Sequence, residues 1–181
     1  MAGMHVLART AAGARRRGCV GIVVVLAAVI PGAPVLGAAT HSVDVTILAG
    51  KNAGDGGFDF NGYQRGAMSV TVPTGWQVVI HFRNVNALAH SLVVVPVSAA
   101  QQAVPPATPA FPGAVTKDLA VGLAQGMKQT LTFMASKSGT YAFVCGVPGH
   151  AVAGMWDKFV VSDGAKAPSV TPAGAAAIAV K

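Results

Sequence analysis

Cys145, His150 and Met155 place a thiol, an imidazole and a thioether within one eleven-residue stretch, Cys145-Gly-Val-Pro-Gly-His150-Ala-Val-Ala-Gly-Met155. All three are metal ligands, and the combination narrows the metal. Zinc takes thiolate, imidazole and carboxylate, and rarely a thioether. Two imidazoles and one thiolate with a weak axial thioether suit copper that gains and loses one electron. The spacing also excludes regular structure as the way these groups converge. Five residues along a helix turn the chain by about 500°, leaving Cys145 and His150 about 140° apart. An odd separation on a strand puts them on opposite faces. A folded loop can bring them together, and Gly146, Pro148, Gly149 and Gly154 supply its turns.

Taken singly, these residues have plainer explanations. A lone cysteine is most often a buried, inert one, and methionine fills gaps in cores. A Cys–His nucleophilic pair is a further alternative, but it leaves Met155 without a role and shows no acid to orient the histidine. A copper set also needs a second imidazole, for which the candidates are His41, His81 and His90. His41 lies near the start of the mature chain. His81 falls mid-strand on the face opposite Trp76 and Phe82, as an exposed strand histidine would. His90 follows the loop Asn84-Val-Asn-Ala-Leu-Ala and opens an apolar strand, at an edge where it can meet a loop. Met68, Met127 and Met134 have no partner at ligand spacing and are assigned to packing.

The elements that must position these groups read as strands. Ser42–Leu48, Met68–Val72, Trp76–Arg83, Ser91–Val95, Gln129–Met134, Thr140–Val144 and Trp156–Val161 are apolar or alternate at period two, and turn residues separate them. This pattern predicts an all-β sandwich of one domain. The ligand loop leaves one strand at Val144 and enters the next at Trp156, so it caps one end of the sandwich. Residues 99–114, with Pro105, Pro106, Pro109 and Pro112, form an irregular excursion with one helical turn expected at 99–104. Residues 164–181 are rich in Ala, Gly and Pro without periodicity, and are expected to be a mobile tail.

A histidine on an early strand followed by Cys, His and Met on one late loop resembles the type 1 copper pattern of the cupredoxins. Phe58-Asp-Phe-Asn-Gly-Tyr-Gln-Arg-Gly66 is similar to the F-x-F-N-G-x-x-x-G signature of the sulfocyanin family, and Cys-x4-His-x4-Met matches its ligand loop. Rusticyanin is a nearby relative by the same likeness, which spans about residues 42–162. The resemblance implies a cupredoxin-like Greek-key β-sandwich over 40–163 holding one copper ion. His90 and His150 would bind through Nδ1, Cys145 through sulfur and Met155 axially. Ser91 would hydrogen-bond toward the Cys145 loop. The Asn61-Gly62 pair by itself also fits a tight turn. Multicopper oxidases carry histidines on both sides of the copper cysteine, and copper nitrite reductases carry one directly before it. Here the flanks are Val144 and Gly146, so the expectation is an electron carrier and not an enzyme. A membrane terminal oxidase or another respiratory complex is the partner that the resemblance implies. A copper chaperone or storage protein binding Cu(I) through the same residues is the alternative from another class, and a structural β-sandwich with an inert Cys145 is a second.

The chain has 181 residues, with 13 Lys and Arg against 6 Asp, no Glu, and a net charge of +7. A basic chain suggests nucleic acid or membrane surfaces, but position decides between them. Arg9, Arg15, Arg16 and Arg17 precede the apolar run Cys19–Ile30, and small residues follow at Gly37, Ala38 and Ala39. That is the layout of a secretory signal, or of an N-terminal anchor if residues 18–39 are retained. Without residues 1–39, nine basic residues face six acids, about +3, with no basic run, so a nucleic-acid partner is excluded. The expected mature protein is exported, periplasmic or otherwise extracytoplasmic, and monomeric. It keeps Cys145 as its single cysteine and so has no internal disulfide. Its sparse charge and lack of Glu suit an acidic exterior.

Overall fold

Alternation of buried and exposed residues builds the first of two sheets. In the computed structural model, which describes residues 41–174, 176 and 178–179, β1 (Ser42–Ala49) buries Val43, Val45, Ile47 and Ala49 and turns the intervening residues outward. β3 (Gln77–Asn84) buries Val78, Ile80 and Phe82 in the same way. The two run parallel, with Val45 opposite Ile80 and Ile47 opposite Phe82. β5 (Lys128–Met134) lies antiparallel on the other side of β3, giving the order β1-β3-β5.

The second sheet has the order β4-β6-β7-β2-β8-β9. It comprises β2 (Met68–Pro73), β4 (Val93–Pro96), β6 (Gly139–Val144), β7 (Trp156–Ser162), β8 (Ser169–Pro172) and β9 (Ile178–Ala179). Phe60, Phe82, Phe143 and Phe159 are fully buried in the main core, to which strands of both sheets contribute. Val93, Val94 and Val95 are buried without alternation. A smaller cluster explains this: Val93, Val95, Ala99, Ala100, Ala142, Val144 and Ala151 pack together. β4 and β6 are thus covered on both faces, which is the condition for a continuous apolar run.

The excursion between β4 and β5 is irregular, as its prolines require. It returns along β4, with Ala110 N donating to Val94 O and Thr116 N to Leu92 O, both at 2.8 Å. Phe111 anchors it, fully buried and stacked on Phe133 at 5.5 Å. The helical turn expected at 99–104 is instead a 3-10 turn at Val97–Ala99, begun by Pro96 with φ −53°. A second correction concerns the expected tail. Residues 169–172 form β8, antiparallel to β2, with Val170 opposite Val70. Among the described residues no helix is long and apolar enough to cross a membrane. The signal or anchor expected over 1–39 lies outside the described residues.

Candidate metal centre

Two segments meet at one end of the second sheet, the stretch before β4 and the loop between β6 and β7. His90 stands ahead of β4, held by a reciprocal pair of main-chain bonds: His90 N to Leu123 O at 3.2 Å and Leu123 N to His90 O at 2.7 Å. Cys145 follows β6 directly, where β6 pairs with both β4 and β7, so its place is fixed by the sheet. His150 opens a single helical turn, α1 (His150–Ala153), which the sequence did not signal. Gly149 at its start and Gly154 at its end have φ of 87° and 120°, values that favour glycine. Met155 immediately precedes β7.

The loop closes on itself through its ligand residues. Met155 N donates to His150 O at 3.0 Å, and Cys145 N donates to Met155 O at 3.1 Å. The main chain of Met155 is therefore tied to both other residues of the loop. Its side chain is fully buried in the same core cluster as Cys145.

The side chains converge as the spacing required. One ligand atom from each of His90, Cys145 and His150 lies within 4.8 Å of the others. Nδ1 of His150 is 3.5 Å from Cys145 Sγ, and Nδ1 of His90 is 3.9 Å from it. Nitrogen and sulfur ligands sit about 2.0–2.3 Å from a first-row ion, so these separations leave room for one ion between them. The other two candidate imidazoles are elsewhere. His81 Nε2 pairs with Asp44 Oδ1 at 2.6 Å on the exposed face of β1 and β3, and His41 stacks on Trp76 at 4.8 Å.

Electrostatics keep the ligands ready. Burial, helped by the neighbouring His150, lowers the pKa of His90 to about 4. Burial also lowers that of His150. Burial thus disfavours the charged form of both imidazoles, and metal ligation requires the neutral form. Burial pushes the Cys145 thiol up, while hydrogen bonds from the main chain of Ser91 and Val147 and from the Ser91 hydroxyl act the other way. A metal must therefore displace the thiol proton.

Ser91 joins the two ligand segments as expected. Its N–H points at Cys145 Sγ at 3.4 Å. Its hydroxyl donates to Leu119 O at 2.7 Å and accepts from Gly146 N at 3.0 Å. Two glycines permit the close packing. A Cβ on Gly146 would lie 2.3 Å from Leu119 Cγ, and one on Gly122 would lie 2.9 Å from His90 N.

Sequence reasoning missed what the Phe58–Gly66 segment touches. The Phe58 ring meets the His150 ring edge-on at 4.9 Å. Asp59 is buried and accepts from the amides of Lys51, Asn52 and Gly62. Asn61, with φ 56°, accepts from Leu48 N through Oδ1 and donates to Thr46 O through Nδ2, acting as a strand partner for β1. The Asn61-Gly62 pair signalled a turn, but no local pattern signals a contact with His150. On the outer side, His150 is half-buried, Pro148 and Gly149 are exposed, and Val152 is 50% exposed, whereas Ala151 faces inward.

Comparison with known proteins agrees with this geometry. Residues 34–171 match the model of the sulfocyanin domain. The sulfocyanin of Sulfolobus acidocaldarius is 31% identical over 140 residues, which is 70% of this chain and 67% of that protein. Reduced rusticyanin shares the fold with a TM-score of 0.51 at 24% identity, over 69% of this chain and 82% of its own. Reduced auracyanin from Roseiflexus castenholzii is 28% identical over 67% of this chain and 98% of its own, with a TM-score of 0.46. With a domain match over most of its length and a thiolate–imidazole cluster at the expected place, the chain belongs to the sulfocyanin family of cupredoxins, β-sandwich proteins that hold one type 1 copper ion.

Proposed function

We propose that this protein carries single electrons on a copper ion that His90, Cys145 and His150 would hold as strong ligands and Met155 as a weak one. The observation that carries this reading is the convergence of Cys145 Sγ with the Nδ1 atoms of two histidines in a largely buried pocket. Bound there, copper supplies a one-electron couple. The chain's own residues do the rest. Ser91 and the closed main-chain loop from Cys145 to Met155 hold the ligands in place, so little rearrangement accompanies a change of charge. The buried donors Cys145 and His90 exclude water, and the flanks Val144 and Gly146 supply no ligand for a second metal. The exposed edge beside His150, with Pro148, Gly149 and Val152, is the proposed docking surface for a redox partner. Few charges there favour a brief encounter.

The proposed partners are a membrane terminal oxidase or another respiratory complex. The proposed location is extracytoplasmic, as a monomer that is either free or tethered through residues 18–39. The test is direct. Adding Cu(II) to the purified protein should give an intense blue colour that ascorbate bleaches and air or ferricyanide restores. Binding of Cu(I) without colour on oxidation would favour a copper chaperone or store instead. In that case Cys145→Ser would abolish metal retention but there would be no colour to lose.

A further inference from the structure

We propose that Arg65 is a positioning residue for the ligand loop, holding the limb that carries Met155; the inference rests on the copper reading above. Arg65 Nη2 donates to Ala153 O at 2.8 Å, Arg65 N donates to Gly154 O at 2.9 Å, and Gly66 N donates to Trp156 O at 3.0 Å. These three carbonyls lie on either side of Met155. The last carbonyls of a helical turn have no partner within the turn, and Arg65 supplies one from 88 residues away in the chain.

The fit is close. Gly154 has φ 120°, and a Cβ there would lie 3.1 Å from both Cγ and Nε of Arg65 and 2.8 Å from Gln64 Oε1. The arginine stem therefore lies flush on the loop backbone. Arg65 itself adopts φ 56°. That left-handed conformation is unfavourable for a non-glycine residue and persists only where contacts hold it. At the other end of the same segment, Phe58 meets the ring of His150. One short strap thus reaches two residues of the ligand loop: the ring of His150 and the backbone on both sides of Met155. Since the main chain of Met155 bonds to His150 and Cys145, releasing the strap lets the thioether move relative to the thiolate. A weak thioether ligand would tune the potential of such a centre, so Arg65 would act on it without touching it.

Arg65→Met and Arg65→Lys in the full chain provide the test, with two kinds of readout. In copper-free protein, amide exchange at Gly154 and Met155 should be about tenfold faster in R65M, the change expected for loss of one ordinary hydrogen bond, and less affected in R65K. In copper-loaded protein, R65M should shift both the reduction potential and the electron paramagnetic resonance spectrum of Cu(II), and R65K should restore part of each. Unchanged exchange together with an unchanged spectrum in R65M would overturn the proposal. So would a potential that follows the charge alone, with R65K and wild type identical and no spectral change in either variant. If R65M does not fold, R65Q carries the same arms. A wild-type protein that never turns blue would instead defeat the copper reading, while the exchange arm still decides on Arg65.

Discussion

At Cys145, a thiol that burial keeps protonated must become a thiolate when metal arrives, and Ser91 is the group placed to help. Its hydroxyl satisfies Gly146 N–H and Leu119 C=O at once. Ser91→Ala leaves the buried Gly146 N–H and the part-buried Leu119 C=O without that partner. It should lower stability by about 1–3 kcal/mol, measured as a drop in the urea midpoint, while copper is still bound because the N–H of residue 91 remains. The histidines set the acid limit of the site. His90, lowered to about 4 by burial and by His150, competes with protons only below that pH. In the copper-free protein the His90 ring should stay neutral as pH falls to about 5 and take up its proton near 4, followed by nuclear magnetic resonance; protonation near pH 6.5 would show His90 to be solvated like a free imidazole. The meeting of Cys145 with His150 was legible because thiol, imidazole and thioether so close together in sequence have one chemistry in common. His90 was legible from its place at the start of an apolar strand. Arg65 and Phe58 were not, because their contacts with the ligand loop join residues far apart in sequence and follow no local period.

Strands were legible where one face is buried, as in β1 and β3, whose period-two pattern survives in the structure almost residue for residue. β8 was missed because every one of its four residues is half-buried, so no alternation marks it, and its Ser-Val-Thr-Pro text reads as turn. α1 was missed because four residues carry no helical period, and Gly149 and Gly154 looked like loop residues when they in fact bound the turn. β8 has a structural job that can be measured. It pairs with β2 over four residues, and Val170 packs on the main core. Ending the chain after Asp163 bares that edge of β2 and the apolar surface beneath Val170. The expected cost is on the order of 2 kcal/mol, read as a lower denaturant midpoint, along with a greater tendency to associate through the open edge. The copper spectrum should not change, because the ligand loop sits at the β6–β7 end and makes none of its hydrogen bonds to β8. A spectral change would mean that the second sheet transmits strain from its far strands to the centre.

For the molecule as a whole, the net charge of +7 divides by position, with four arginines before residue 18 and about +3 on the rest. Sparse charge suggested tolerance of acid, and the structure supplies specific groups of opposite sign. His90 has a folded pKa below its ordinary 6.5. Its contribution to stability is therefore lost as pH falls from 6.5 toward 4, because the unfolded chain then binds the extra proton. Asp157 works the other way. It is buried on β7, with Oδ1 accepting from Met68 N at 2.9 Å and the Ala67 N–H also acting on the carboxylate. Burial raises its pKa from 3.8 to about 7, with the Asp59 carboxylate adding to the rise and the Met68 N–H opposing it. The folded protein thus prefers the neutral acid, so this contribution is fully present below about 3.8 and is lost as pH rises through about 7. Comparing Asp157→Asn with wild type in the copper-free protein isolates it, since the histidines are common to both. Wild-type stability relative to D157N should grow as pH falls from 7 to 4, by on the order of 2–4 kcal/mol, measured by urea unfolding across that range. A difference that stays flat would mean that Asp157 is ionised in the folded state, and the acid tolerance would then have to come from the scarcity of carboxylates alone.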